Sequence, residues 1–334
     1  MNILLATGLY PPEIGGPATY AAMLEEHLPA RGIAVTVVPF GLVRHHPKLI
    51  RHFMYLKKLW SESRSVDVVY ALDPISVGVP SMLIAKLRRK PFLIRLGGDY
   101  AWEQGRIRFG VKRTLDEYLE SKRGISPIVR VFASIQTFVC KQASVIVVPS
   151  QYLKSVVTHW GIKDDHITVI YSALFPLEVE GTKAELRKQF EFTGPTLVSA
   201  ARLVPWKGFK MLIEVTAQLR TEYPDIELVI VGDGEERGVL EETAREHGIL
   251  DQVRFTGRLS KEALGATIKA GDVFVLNTAY EGLSHQLIEV MDLGTPIVTT
   301  TAGGNSELIT DGVEGFLVAF NDKDALVESI KRVL

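Results

Sequence analysis

Short runs of Val, Ile and Leu alternate with helix-length stretches along this chain, and the alternation occurs in two separate series. The first series has runs at 2–7, 33–40, 67–71, 91–96 and 144–149, with helical segments such as 18–30 and 129–142 between most of them. These runs are too short for core helices and too continuous in apolar residues for one-sided strands. They therefore read as strands of a mainly parallel sheet covered on both faces. A second series follows at 196–201, 227–232, 252–256, 272–277 and 296–300, with helices expected at 209–221, 236–246, 261–270 and 284–293. Between the two, LFPLEVEGT (174–182) breaks the pattern with Pro176 and Gly181. The expected architecture is α/β: two doubly wound domains, 1–175 and 176–334, with ligands taken beyond the strand C-termini. Two such sheets facing each other would put a site in a central cleft. A last helix is expected over 322–334, where the chain stops without a C-cap glycine, as a frayed helix or a truncated chain would.

At 334 residues, with 46% hydrophobic and 23% charged residues, the chain is globular rather than disordered or collagen-like. One cysteine, Cys140, excludes an internal disulfide and a cysteine-built zinc site. The eight histidines show no metal-ligand spacing, so no metal is expected. No apolar run reaches about 18 residues, and no charged region with a long apolar core precedes the first strand; neither a membrane span nor a leader is expected. No nucleic-acid module is present. The net charge of −1 hides an asymmetry. Residues 1–180 carry 22 Lys and Arg against 15 Asp and Glu, and residues 181–334 carry 16 against 24. The basic half suits an anionic membrane face or a phosphorylated acceptor.

Five segments could carry chemistry. In AARLVPWKGF (200–209), Arg202 and Lys207 follow a strand and precede a helix, where two cations, free backbone N–H groups and the helix dipole suit a diphosphate. In AYEGLSHQLIEVMDLGTP (279–296), Glu281 lies in a loop, Ser284 is a candidate N-cap and Glu289 sits eight residues after Glu281, inside the helix. Two carboxylates so spaced suit the hydroxyls of one extended ligand, although His285, Glu289 and Asp292 also fit an ordinary solvated helix face. TGLYPPEIGGPATY (7–20) places Gly15 and Gly16 at a strand-to-helix turn able to approach an anion. RLGGDYAWE (95–103) puts Asp99 after the fourth strand, as a base, a hydroxyl ligand or the cap of the next helix. In 44–64, Leu49, Phe53, Leu56 and Trp60 share a stripe with Arg44, Lys48, Arg51 and Lys58 roughly opposite. Such a helix either packs on the sheet or lies on an anionic membrane.

In order, these segments resemble the family 4 glycosyltransferases, retaining enzymes of the GT-B type, over nearly the whole chain. The resemblance rests on the Gly-Gly loop after strand one, Arg-x4-Lys, VGDG, FTGRL, Glu-x7-Glu, and GTPIVTT before Gly303-Gly304. It implies two Rossmann-like domains, an acceptor-binding one and one that holds a nucleotide-sugar donor such as a UDP- or GDP-sugar. Arg202 and Lys207 match the diphosphate pair, Glu281 the donor-sugar contact and Glu289 the ribose contact. Gly282, Leu283 and Ser284 would offer backbone contacts, Arg258 lies where the loop meets the base, and Gly15-Gly16 would approach from the first domain. Metal-independent, front-face transfer is implied, with Glu281 not a nucleophile. The family's usual His-Gly is Gly97-Gly98 here, so Asp99 joins Glu281, Arg202 and Lys207 in the expected catalytic set. The usual closing helix back to the first domain is expected to be missing. The acceptor implied is a glycan or a lipid-linked precursor of the cell envelope, at the cytoplasmic membrane face. A sugar-nucleotide epimerase of the same architecture and an inactive sugar-nucleotide-binding fragment are the alternatives.

Overall fold

The computed structural model describes residues 1–13, 15–121, 124–173 and 176–334, apart from the side chains of Lys48 and Leu49. The chain divides into two compact units, Met1–Ser172 and Ala173–Leu334. The expected boundary near 175 falls on Leu174 and Phe175, which lie outside the described residues, as does Ile14 of the first glycine loop.

The first unit has six parallel strands: β1 (Asn2–Thr7), β2 (Ala34–Pro39), β3 (Val68–Ala71), β4 (Phe92–Arg95), β5 (Val145–Val148) and β6 (Ile167–Val169). Its helices are α1 (Gly16–His27), α2 (Lys48–Glu62), α3 (Gly78–Arg88), α4 (Tyr100–Arg108), α5 (Leu115–Glu120), α6 (Pro127–Lys141) and α7 (Gln151–His159). Strand order is β2-β1-β3-β4-β5-β6. The chain runs outward from β1 to β2 and then returns to the other side of β1, so the winding reverses between β1 and β3. That crevice is where open α/β sheets take ligands.

The second unit has β7 (Thr196–Ala200), β8 (Glu227–Val231), β9 (Val253–Gly257), β10 (Val273–Leu276), β11 (Ile297–Thr300) and β12 (Phe316–Val318). Six helices accompany them: α8 (Lys183–Gln189), α9 (Phe209–Leu219), α10 (Arg237–Glu246), α11 (Lys261–Ala270), α12 (His285–Leu293) and α13 (Lys323–Val333). All its pairings are parallel and the order is β12-β11-β10-β7-β8-β9, so the winding reverses between β7 and β10.

Strand alternation builds both layers of this unit. Leu197, Leu228, Ile230 and Val275 join Phe209 and Leu212 of α9, Leu240 of α10 and Leu326 of α13. Their neighbours Val198, Val229 and Phe274 face the other way, onto Leu186 of α8, Ile268 of α11 and Leu287 of α12. Each fully buried aliphatic or aromatic side chain stabilises the fold by about 1.5–3 kcal/mol. With both faces covered, the strands need apolar residues at every position, which is why they read as continuous runs. The same burial leaves the polar ends of β7 and β10 to form the site.

Candidate active site

The loops after β7 and β10 flank the reversal point of the second sheet and are fastened together. The β7 loop carries Arg202 and a short 3-10 turn, Pro205–Lys207, that ends at Gly208 with φ +54°. Here only glycine fits, since an added Cβ would overlap the Asn277 side chain. Asn277, fully buried at the end of β10, donates its amide to the Gly208 carbonyl (3.1 Å) and to Asn321 Oδ1 (2.8 Å), and its own Oδ1 accepts from Asn321 N (3.0 Å). Two residues further on, the Ala279 amide donates to the Trp206 carbonyl at 2.8 Å. These bonds fix the start of α9 against the Glu281 loop.

Across that junction Lys207 Nζ is ion-paired with Glu281 Oε1, both side chains being more than four-fifths buried. Arg202 is exposed and its guanidinium stands over the Trp206 ring, 5.5 Å from the centroid. The loop after β8 braces the Arg202 segment. Leu203 N donates to Asp233 O at 3.1 Å, and at Gly232 and Gly234 a side chain would strike the backbone of Ala201 and Leu203.

Glu281 is also held from behind. Its carbonyl accepts from Gly304 N (3.0 Å), and Gly303, at φ +59°, packs so closely that a Cβ would overlap that carbonyl oxygen. The Gly303-Gly304 pair is thus a clasp on the Glu281 backbone. Gly282, Leu283 and Ser284 are buried, and the Ser284 hydroxyl caps α12 by accepting from Leu287 N at 3.3 Å. Glu289 lies on the second turn of α12, partly buried, with Gln286 Nε2 donating to it at 3.1 Å. Burial pushes its carboxyl above the usual range, against the pull of Lys261 and Gln286. Arg258 is exposed just after Gly257, where β9 ends.

Arg202, Lys207, Glu281, Gly282, Leu283, Ser284 and Glu289 therefore sit on the two loops, and the first turns of α12, that follow the neighbouring central strands β7 and β10. Chemically they offer two cations and a helix N-terminus for a diphosphate, with carboxylates for hydroxyls. Asn277 and the clasping role of Gly303 escape the sequence reading. The one local signal for Asn277 was the switch from VFVL to Asn-Thr at the end of an apolar strand.

Two expectations need correction. Asp99 is fully buried and takes the helix-cap role among those open to it, with both oxygens bound by N–H donors, the arrangement of a structural carboxylate rather than of an exposed base or hydroxyl ligand. Its Oδ1 accepts from Trp102 N (2.9 Å) and Gln136 Nε2 (3.1 Å), and its Oδ2 from Trp160 Nε1 (3.1 Å). In α2 the packed residues are Tyr55 and Leu59, not the stripe of Phe53, Leu56 and Trp60. Phe53 is 68% exposed, Trp60 stacks with Arg88, and the Leu49 side chain lies outside the described residues. The cations were not all opposite either: Arg51 stands over Phe40, and Arg44 is paired with Glu13. In the first unit Gly15 precedes α1, its carbonyl accepting from Ala18 N (2.9 Å) and Thr19 N (3.1 Å), and Gly16 opens the helix.

Two six-stranded parallel sheets, each with a winding reversal, are the two Rossmann-like units of the GT-B fold. Residues 14–174 match the model described as Glycosyltransferase Family 4, and residues 182–334 match Glycosyl transferases group 1. The chain belongs to the family 4 glycosyltransferases. It is 31% identical over 172 residues to the lipopolysaccharide core biosynthesis glycosyltransferase LpsE of Rhizobium meliloti, covering 46% of this chain and 49% of that one. It is 31% identical over 158 residues to the alpha-D-kanosaminyltransferase of Streptomyces kanamyceticus, covering 47% of this chain and 41% of that one. The chain thus spans about half the length of these curated relatives. Among solved structures, Anabaena Alr3699/HepE in complex with UDP-glucose superposes with TM-score 0.76 at 22% identity, over 99% of this chain and 89% of that one. The sucrose-phosphate synthase of Thermosynechococcus elongatus gives 0.80 at 19% identity, with the same coverage.

Proposed function

We propose that this protein is a retaining glycosyltransferase that moves a sugar from a nucleotide-sugar donor to a glycan or lipid-linked acceptor in envelope polysaccharide or lipopolysaccharide synthesis. The observation that carries the reading is the junction at the β7–β10 reversal, with Arg202, Lys207 and the start of α9 on one side and Glu281 on the other. Relatives named for lipopolysaccharide core and Vi polysaccharide biosynthesis support the acceptor class.

In this reading the departing group is a nucleoside diphosphate. Negative charge grows on its phosphate oxygens as the glycosidic bond breaks, and Arg202, Lys207 and the α9 N-terminus stabilise it without reorganising. Glu281 accepts hydrogen bonds from donor-sugar hydroxyls and holds Lys207 in place until the diphosphate arrives. Glu289 accepts from the ribose, and Arg258 lies beside the base. Metal-independent, front-face transfer accords with this set: the leaving oxygen takes the acceptor proton, and no side chain is required as nucleophile.

Attachment to an anionic membrane belongs to the same proposal, with the surface redrawn. Helix α3 packs beside both α2 and α6. These three helices contain eight Lys and Arg and a single acid, Glu62. On them Phe53, Leu87 and Phe138 are 68%, 68% and 53% exposed. Apolar side chains among cations suit an anionic bilayer surface. Among the described residues no helix is long and apolar enough to cross one.

A panel of nucleotide-sugars, scored for binding and for release of nucleoside diphosphate with wild type and Glu281→Ala, tests the reading. Release from one donor that requires Glu281 supports it. Interconversion of the sugar without release would point to an epimerase, and no binding to any donor would remove the proposal.

A further inference from the structure

Arg95, the last residue of β4, is 4% exposed, and among the described residues no carboxylate lies within ion-pair distance of it. Its guanidinium is 3.8 Å from the centre of the Tyr20 ring and donates through Nη2 to Ser172 Oγ at 2.9 Å, while Nε is buried without a partner. Tyr20 comes from α1, Tyr70 from β3 and Ser172 from just beyond β6, so four elements of the first unit converge at the C-terminal edge of its sheet. The Tyr20 and Tyr70 hydroxyls lie 3.1 Å apart.

The hydrogen-bonding capacity here is one-sided. The guanidinium only donates. Ser172 Oγ accepts from it and keeps its own hydrogen to give. The tyrosine pair spends one hydroxyl hydrogen between its oxygens and has a second left over. An unpaired buried cation is costly, because removal from water is not repaid by a counter-charge. Burial accordingly disfavours the charged form of Arg95, and the two tyrosine oxygens are the groups that support it. What such a cluster lacks is an oxyanion.

We infer that Arg95, Ser172, Tyr20 and Tyr70 form an oxyanion subsite in the first unit, filled by an acidic group of the acceptor: a uronate carboxylate or a phosphate. The inference rests on the proposed transfer reaction for the word acceptor, but the subsite is defined by its own donors. Its residues all come from the first unit, whereas the proposed diphosphate set comes from the second. A neutral glycan leaves the cluster unfilled, so the proposal narrows the acceptor to one bearing an acidic group.

The test reads binding without turnover, in an Arg202→Ala/Lys207→Ala background that removes the other set of cations. Thermal melting is followed against inorganic phosphate, glucuronate, glucose and chloride at matched ionic strength. The expected result is a saturable rise in Tm with phosphate or glucuronate, absent with glucose and chloride, and abolished by Arg95→Met. A stronger response to glucuronate assigns the group as a uronate, and a stronger response to phosphate assigns a phosphorylated or lipid-phosphate acceptor. If Arg95→Met does not fold, Tyr20→Phe decides, with half-saturation expected to move to at least about threefold higher oxyanion concentration. No rise in the parent, a rise that survives Arg95→Met, or an unchanged half-saturation in Tyr20→Phe overturns the proposal. A protein that binds oxyanions here but releases no diphosphate from any donor keeps the subsite and loses the transfer reaction; the opposite pattern does the reverse.

Discussion

Lys207 Nζ meets Glu281 Oε1 in an ion pair whose members follow different strands, β7 and β10, and are 15% and 17% exposed. The pair bridges the point where the winding of the second sheet reverses. In the proposed reaction, a nucleoside diphosphate arriving at Lys207 would compete with the carboxylate for the same ammonium group. Glu281 would then have two opposed effects, holding Lys207 in position and opposing the binding of phosphate.

Replacing Glu281 by Gln separates these effects. The amide keeps the shape but removes the competing charge, so nucleoside diphosphate should bind roughly tenfold tighter, about 1.4 kcal/mol. Sugar transfer should fall by about 10²–10³-fold, as when one preorganised polar contact to a reacting group is lost. Calorimetric titration of the nucleotide and a product-release assay check the two directions. Weaker nucleotide binding in Glu281→Gln would show that the carboxylate is not a competitor.

Gly303→Ala should act on the same residue from behind. At φ +59° an alanine is strained, and its Cβ would overlap the Glu281 carbonyl. The Glu281 loop must shift, although the substituted residue carries no functional side chain. Transfer should drop by at least about tenfold, consistent with the sensitivity of positioned groups to displacements near 1 Å. Arg202 and Lys207 sit on another loop, so nucleoside diphosphate binding should change much less. Equal losses of binding and turnover would argue against a selective effect on Glu281.

Glu289 gives a pH-dependent prediction. Burial raises its carboxyl in the folded protein, so the folded state holds the proton more tightly than the unfolded state. Stability from this group is therefore complete below the ordinary carboxylate range and is lost as pH rises through the folded value. Glu289→Gln should melt close to wild type near pH 4 and above it at pH 7, while binding nucleoside diphosphate more weakly if the proposed ribose contact is made. Melting curves across pH 4 to 8 test this; a variant that melts lower at neutral pH would contradict the sign.

The alternating pattern was enough to read ten of the twelve strands. The two that escaped, β6 and β12, are three-residue edge strands, too short to show any period. Arg202, Lys207, Glu281 and Ser284 were legible because strand end, cation, glycine and cap follow one another closely in sequence. Asn277 was not, because its partners Gly208 and Asn321 are 69 and 44 residues away. Asp99 shows the same blindness in reverse. Its position after a strand suits a base or a cap equally, and only the arrival of Gln136 and Trp160, 37 and 61 residues on, makes it a buried structural carboxylate.

Asp99→Asn should therefore be a stability variant. Both carboxylate oxygens accept from N–H groups, and the amide would turn a donor toward one of them. Losing a charge-assisted bond costs about 1.5–3 kcal/mol, or several degrees in Tm for a unit of this size. Turnover below the melting range should stay within a few-fold of wild type. A well-folded Asp99→Asn that binds donor normally but fails to transfer would return Asp99 to the catalytic set.

The surface of α2, α3 and α6 should hold a vesicle by two separable contributions. Charge alone would give vesicle binding that salt abolishes, because each Lys or Arg near an anionic bilayer contributes about 1 kcal/mol and is screened within a Debye length. Exposed Phe53 on α2 and Leu87 on α3 add a contribution that salt does not screen. In flotation with anionic vesicles, wild type should bind and retain part of that binding at high salt; neutral vesicles should bind little. Phe53→Ser with Leu87→Ser should abolish the salt-resistant part, and Lys57→Glu with Lys58→Glu should abolish the salt-sensitive part. Because Phe53 and Leu87 are exposed, the first pair should leave Tm within a degree or two of wild type, so lost binding cannot be blamed on unfolding. Equal binding to anionic and neutral vesicles, or none to either, would remove the membrane from the proposal and leave a soluble acceptor.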